Sequence, residues 1–465
     1  MSLPQYPEYR NSGIEWLAMI PAHWSIGRLK FLGRITSSGI DKHSHKDESK
    51  IRFLGTDSVY SRNELDNSLV LPTCTASKNE IKRLSLSLGD IIVTKDSVVP
   101  TRIADAAIVV EPLDNVVCGY HLILFRAEKK VAYPKFLFYQ LASRQVNEHF
   151  LSIARGTTII GISSDLVGDT YLCCPPVNEQ AVIAAFLDCE TTRIDALIEE
   201  QKHLIKLLQE KRQAVISHAV TKGLDPDVPM KDSGVEWLGD VPAHWEIRKA
   251  SYIGRLFGSE NVPEDMVSEE GDLPYLKVGS LSTDSLEVDR WDWHIEQSVA
   301  GQYRACEHYV VFPKRGAAIF LNKVNVVSCQ ALIDPNLMGW EIEGVQSTWY
   351  FAYALKLRKL DELADISTVP QINNKHIGPE KFPVPPADEQ EMIADYLNKR
   401  SSEIAQLMST ARTGVRLLQE RRSALISAAV TGKIDLRHWQ ASAEAEAESH
   451  AMAAEPKAAY ESKSS

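Results

Sequence analysis

At 465 residues, with 44% apolar and 24% charged side chains, the chain has the balance of a globular protein and the length for two or more domains. It has no run of about 18 apolar residues, and its opening MSLPQYPEYR lacks the basic and apolar regions of a secretory signal, so a cytoplasmic protein without a membrane span is expected. A net charge of −11 argues on its face against a nucleic-acid ligand, and the seven cysteines form no C-x-x-C pair, which predicts reduced, packing thiols rather than a zinc site.

The first readable element is the box SGIEWLAMIPAHW, Ser12 to Trp24. After it, residues 25–174 carry a net charge of +3, and short apolar runs such as DIIVT, AIVV and LILF predict strands. The stretch PKFLFYQLASRQVNEHFL, from Pro134, reads as one helix with an aromatic face. A Pro-Pro pair at 175–176 is extended by necessity and hands over to a helix, with Asn178 as candidate cap and Glu179 at the positive end of the dipole. That helix runs about 43 residues to Gly223, where a left-handed turn can close it. Its apolar positions, Leu187, Ile194, Leu197, Leu204, Leu208 and Val215, recur near sevens and predict a coiled-coil seam.

The pattern then starts again. SGVEWLGDVPAHW, Ser233 to Trp245, matches the first box at nine of thirteen positions. Residues 246–384 follow with a net charge of −6, and alternation in RWDWH places Trp291 and Trp293 on one face of a strand. PPADEQEMIADYL from Pro385 answers PPVNEQAVIAAFL from Pro175 and opens a second long helix. Asp388 is its candidate cap and Gly432 its stop. Leu397, Ile404, Leu407, Leu418 and Leu425 make the matching seam, with small or polar steps at Gln201 and Ala411. The chain is a duplicated half-molecule whose ends are alike and whose middles differ. The last stretch is rich in Ala, Glu and Ser and predicts a disordered tail.

Catalytic motifs are missing. There is no Gly-rich phosphate loop, no G-x-G-x-x-G, and no Asn/Asp-Pro-Pro-aromatic segment of the kind adenine methyltransferases use. His23 and His244 recur inside the boxes without an acid or thiol beside them, which suits packing or capping. A self-contained methyltransferase or nuclease is thereby disfavoured, and a duplicated coiled-coil scaffold without DNA readout is the alternative that stays open.

The box SGxEWLxxxPAHW, the joint PPxxEQ entering a long helix, and their duplication around dissimilar middles resemble the specificity subunits of type I restriction-modification enzymes, from about Tyr9 to Asp435. RGTTIIGISSDLVGDTYLCCPP from Arg155 is similar to the family's closing segment before the joint, and ISTVPQINNKHIGPEKFPVPP from Ile366 matches it with Ser-Thr in place of Gly-Thr-Thr. LSLGDIIVTKDS from Leu86 and YVVFPKRGAA from Tyr309 look like the family's strand and turn, the second without the Gly-Asp pair.

The resemblance implies an α+β fold class. It has two mixed α/β target recognition domains joined by two long helices that form an antiparallel coiled coil, with a pseudo-twofold internal duplication. The boundaries expected are a box at 1–24, recognition domain 1 at 25–174, a central helix at 175–224, and a linker with the second box at 225–245. Recognition domain 2 follows at 246–384, the second helix at 385–436 and a disordered tail at 437–465. Each recognition domain would read one half of a split double-stranded DNA site. The helices would dock two methyltransferase (modification) subunits, and through the complex the restriction/translocase subunits. This chain would be non-catalytic and hold no cofactor, S-adenosylmethionine, ATP and Mg belonging to the partners.

Side chains that pair with phosphates or base edges, placed in loops near strand ends, are the candidate DNA contacts. In the first domain these are Lys95, Ser97, Arg102, Arg155, Thr157 and Thr158. In the second they are Lys314, Arg315, Lys323, Gln371, Asn373, Asn374 and Lys375. Trp16, Trp24, Trp237 and Trp245, shared by domains that should read different sequences, are assigned to the framework or a partner.

Overall fold

The computed structural model describes residues 4–40, 44, 47–259, 262–296, 301–365 and 369–440. It divides into two units, one built from residues 1–199 and 415 onward, the other from 200–414. Each contains a mixed α/β domain and part of each long helix.

In the first unit a five-stranded sheet has the order Gly33–Ser37, Leu122–Ala127, Ile91–Thr94, Ala106–Val109, Glu64–Leu65, antiparallel except for the last pair. Both faces are covered, which is why the central strands read as unbroken apolar runs rather than alternating ones. Ile91, Val93, Ile123 and Phe125 face Phe136, Leu137 and Phe150, while Ile92, Leu122 and Leu124 face Phe53, Leu54 and Val117. The second unit repeats four of these strands in the same order: Gly254–Gly258, Leu337–Ile342, Tyr309–Pro313, Asn325–Val327. Val310, Phe312 and Trp340 pack on Tyr350, Phe351 and Leu355 on one side, and Tyr309, Val311 and Leu337 on Leu276 on the other.

Gly33 and Gly254 open the edge strands, where a Cβ would sit 2.3 Å from the Arg126 carbonyl oxygen and 2.2 Å from that of Glu341. Only glycine allows either strand to approach that closely. The repeat therefore extends past the tryptophans that end the sequence boxes.

The stretch expected as one helix is two, Pro134–Leu141 and Arg144–Ile153. Ser143 is extended at φ −74° and ψ 147°, and its hydroxyl donates to the Gln140 carbonyl at 2.6 Å, competing with the helical ladder for that acceptor. Trp291 and Trp293 lie just before the strand His294–Ile295 rather than in it, and they pack on two different clusters. Of the closing segment from Ile366, residues 366–368 lie outside the described residues.

The long helices span Val177–Lys222 and Ala387–Val430. Each starts one residue before the expected cap, so Asn178 and Asp388 lie within the first turn. Gly223 (φ +77°) and Gly432 (φ +74°) follow their ends in the left-handed region. The buried stripe differs from the predicted seam. Leu187, Ile194, Ile198 and Leu208 are buried on the first helix and Leu397, Ile404, Met408 and Ala411 on the second, whereas Leu197, Leu204 and Leu407 are exposed. The cause is rotation: four residues advance a helix 40° past one turn and three fall 60° short, so Ile198 shares the face of Ile194 and Leu197 does not.

In the first unit the start of one helix and the end of the other share a core, Ile183 and Leu187 clustering with Ile426, Ala429 and Val430, and Arg422 Nε donates to Asp195 at 2.8 Å. In the second unit Ile216 and Val220 cluster with Ile393 and Leu397, and Leu208 with Ile404 and Met408. Within the expected tail, Trp439 packs edge-on against Phe186, with centroids 5.6 Å apart; residues 441–465 lie outside the described residues.

Candidate nucleic-acid interface

Two arrangements are found in each unit, one repeated together with its side chains and one in which the side chains vary. The repeated one is a hydrogen-bonded hub where the box meets the helix. Asn11 Oδ1 accepts from Gly13 N at 2.8 Å and Asp232 Oδ1 from Gly234 N at 2.9 Å, and both glycines have positive φ, so each box begins with the same side-chain-closed turn. The turn leads to an indole, Trp24 or Trp245, with almost no exposure. Trp24 Nε1 donates to Glu179 at 3.0 Å, and Trp245 Nε1 donates to Glu389 at 3.0 Å. His23 Nε2 and His244 Nε2 lie 2.9 and 2.8 Å from the second carboxylate oxygens.

The next residue in each joint is equally engaged. Gln180 donates to the Pro175 carbonyl at 2.8 Å and accepts from Tyr133 N at 2.8 Å; Gln390 donates to the Pro385 carbonyl at 2.8 Å and accepts from Ser347 N at 2.9 Å. PPxxEQ is thus a satisfied polar core: Glu takes the box and Gln ties the helix start to the domain. In the first unit Tyr6 adds a third bond, its hydroxyl 2.5 Å from Glu179 Oε1, and burial followed by that carboxylate pushes the phenol above its ordinary pKa.

The side chains vary where the chain leaves the central strand of each sheet. In the first unit Lys95 N donates to the His121 carbonyl at 2.9 Å and Ile162 N to the Lys95 carbonyl at 2.8 Å, and Asp96–Ser97 pair with Ile160–Gly161. Around this knot Lys95 Nζ lies 4.5 Å from the Tyr120 ring centroid, His121 Nδ1 is 3.0 Å from Asp96 Oδ2, and Arg102 lies 4.2 Å over Tyr60. In the second unit Ile372 N donates to the Lys314 carbonyl at 2.8 Å, Arg315 bridges Gln371, and Gly316 N donates to the Pro370 carbonyl at 3.0 Å.

The family model for the type I restriction modification DNA specificity domain matches residues 21–207. A relative from Methanocaldococcus jannaschii, named as a specificity subunit of the MjaX type I restriction enzyme, is 22% identical over 94% of this chain and 99% of its own length. Residues 21–207 match that specificity domain, and over most of its length the chain is similar to type I restriction enzyme specificity subunits. A second specificity subunit of that organism, from the MjaVIII enzyme, is 20% identical over 68% of this chain and 74% of its own. A chain solved in work on complex assembly and conformational transition of the type I R-M system has the same fold, with a TM-score of 0.67 at 16% identity, covering 88% of this chain and 98% of that one.

The candidate DNA contacts fall into groups. Lys95 and Ser97 belong to the knot, and Arg155 joins it through backbone bonds with Gly161 at 2.9 and 2.8 Å. Ser97 itself is buried, its hydroxyl turned to the Val99 carbonyl at 2.8 Å. Thr157 and Thr158 are exposed in the loop that follows Arg155. Arg102 lies at the knot's edge over Tyr60, its guanidinium held by Asp105 at 2.9 Å and the Tyr60 carbonyl at 2.7 Å.

In the second unit Lys314, Arg315 and Gln371 come together, and Asn373 caps the turn that carries exposed Asn374 and Lys375, accepting from Lys375 N at 2.9 Å. Lys323 is elsewhere, half-buried with its ammonium 3.4 Å from the Val278 carbonyl. Among the tryptophans, Trp24 and Trp245 are inside the hubs. Trp16 stacks on His149 at 5.2 Å and Trp237 meets Phe382 edge-on at 5.8 Å.

Sequence reasoning missed Asp96, Tyr60, Tyr120 and His121 around the first knot, and Lys277, whose ammonium lies 3.8 Å from the Trp293 ring centroid, in the second unit. The available signal was the Gly-Tyr-His tip between two apolar runs, a turn with an aromatic and a donor side by side. Among the described residues no group of three or more His, Cys, Asp or Glu side chains could hold a metal ion, and no helix is long and apolar enough to cross a membrane.

Proposed function

We propose that this chain is the non-catalytic DNA-specificity subunit of a type I restriction-modification complex, with residues 25–174 and 246–384 each reading one half of a split site. The observation that carries this is the contrast between hubs and loops. Glu179 and Glu389 hold the same tryptophan-histidine pair in both units, while the loops leaving the central strands present different side chains. A duplicated frame with two different readers is what a bipartite, asymmetric site requires.

In this reading the frame arose by internal duplication, with the halves related by a pseudo-twofold axis. The long helices are paired antiparallel as a coiled coil that spaces the readers and docks two modification subunits. The Arg422–Asp195 bond and the cluster of Leu208, Ile404 and Met408 support that pairing. S-adenosylmethionine, ATP and Mg belong to the modification and restriction/translocase subunits, and the complex works on double-stranded DNA in the cytoplasm. The partners also supply much of the phosphate neutralisation, which accommodates a chain of net charge −11.

Helices of 46 and 44 residues would be about 65–70 Å long at 1.5 Å per residue, enough to hold two readers about one DNA turn, 34 Å, apart. Inserting four residues into both helices adds about 6 Å. The gap of the methylated site, mapped in the complex with its modification subunits, should lengthen by one or two base pairs, about 3.4 Å each. An unchanged gap contradicts the spacer, and a site that is not split contradicts the reading as a whole.

A further inference from the structure

The two knots are equivalent residue by residue although their sequences are not. Ile162 N and Ile372 N each donate at 2.8 Å to a lysine carbonyl, that of Lys95 in one unit and Lys314 in the other. One position further on, Asp96 pairs with Gly161 and Arg315 with Gln371. A third segment closes both: Arg155 exchanges two backbone bonds with Gly161, and Asp365 exchanges two, of 3.0 and 3.1 Å, with Gln371. Each middle segment then runs into a short helix under a capping side chain, Ser163 over Leu166 N at 3.3 Å and Asn373 over Lys375 N at 2.9 Å.

On this shared backbone the lysine is common and the following residue inverts its charge. A side chain common to both readers suits the phosphate backbone, which is the same everywhere along a duplex. A carboxylate cannot serve there, since it is repelled by phosphate. At a DNA surface its use is to accept from an exocyclic amino group, that of cytosine above all, whereas a guanidinium donates to guanine O6 and N7.

The Asp96 carboxylate, 26% exposed, has its Oδ2 4.0 Å from the Lys95 ammonium as well as on His121, which leaves Oδ1 for such work. Asp96 holds one oxygen on His121 Nδ1 at 3.0 Å, and a Cβ at position 161 would come within 2.8 Å of the other, so Gly161 leaves that oxygen its space. Arg315 and Gln371 are exposed, and no side-chain hydrogen bond or ion pair of either is found among the described residues.

We infer that Asp96 and Arg315 are matching specificity determinants of the two half-sites, Asp96 accepting from the amino group of a cytosine and Arg315 donating to a guanine. The assignment rests on the specificity-subunit reading above. Its test is a methylation-site map of the whole complex carrying Asp96→Asn or Arg315→Ala beside the unaltered chain.

Asp96→Asn should relax the preference at one cytosine of one half-site by about tenfold or more, and Arg315→Ala should do the same at one guanine of the other half. In each variant the opposite half stays as it was. A motif identical to that of the unaltered chain, or methylation lowered uniformly over all sites, overturns the assignment while leaving the reading intact. An unaltered chain that directs no split site overturns both. Since Arg315 is exposed and its side chain makes no hydrogen bond or ion pair among the described residues, failure to fold cannot mask its outcome.

Discussion

Glu179 and Glu389 are the residues on which each half turns, and their chemistry is that of acceptors, buried at Glu179 and half-buried at Glu389. Each takes an indole N–H and an imidazole; Glu179 is 7% exposed and takes the Tyr6 hydroxyl as well, while Glu389 is 26% exposed. Removing an acceptor leaves buried donors without partners, at about 1–3 kcal/mol for each group. Glu179→Ala should therefore cost about 3 kcal/mol or more and Glu389→Ala roughly half as much, read by denaturant unfolding. Equal losses would mean that Tyr6 adds nothing to the hub. In the sequence the glutamates were legible as dipole partners at helix starts. Their tryptophans lie 155 and 144 residues earlier, a pairing no local pattern encodes.

Lys356 makes a second residue-scale case. Burial, and after it the Arg212 guanidinium, pushes its ammonium down to about 8 from 10.5, against the pull of Asp284. Arg412 also faces this corner, donating to Asp284 at 2.8 Å. The folded state binds the proton more weakly than the unfolded chain, so the group costs stability in full below about pH 8, and the cost fades as the pH rises toward 10.5. The stability gained by Lys356→Met should be largest near pH 7 and shrink above pH 8. A gain that does not vary with pH would show that titration plays no part.

Among the elements, the long helices were the most legible, their starts and stops readable to within a residue or two from Pro-Pro, Glu and Gly. The face they bury was not, because a sevenfold count cannot distinguish Ile198 from Leu197 on a helix of 3.6 residues per turn. Ala411 is buried and Leu417 is 52% exposed, so the two predict opposite behaviour. Ala411→Leu should overfill the helix contact and destabilise by about 1–3 kcal/mol. Leu417→Ala should change stability by less than about 0.5 kcal/mol while weakening assembly with the modification subunits. Thermal unfolding and co-purification separate the two, and a Leu417→Ala chain that unfolds early would place that side chain in a core. The break at Ser143 was illegible for a similar reason: the aromatic periodicity runs through it, and the first helix ends where an extended Ser143 turns its hydroxyl back to the Gln140 carbonyl.

For the whole molecule, composition pointed away from nucleic acid and organisation pointed toward it. Net charge is a property of the sum, whereas on the proposed reading DNA readout belongs to a few loops and the partners share the work of meeting the phosphates. The repeat was visible in the boxes and joints, where hubs constrain side chains. It was invisible in the four matching sheet strands and the two knots, where the backbone is shared and the side chains are free to differ. The central claim is that this chain chooses the DNA site for its complex. It is tested most directly by mapping methylated sites in DNA from cells carrying the modification subunits with and without this gene. The account predicts a split motif with a fixed gap that disappears when the gene is removed. The same motif persisting without the gene, or methylation at an unsplit site, would contradict it.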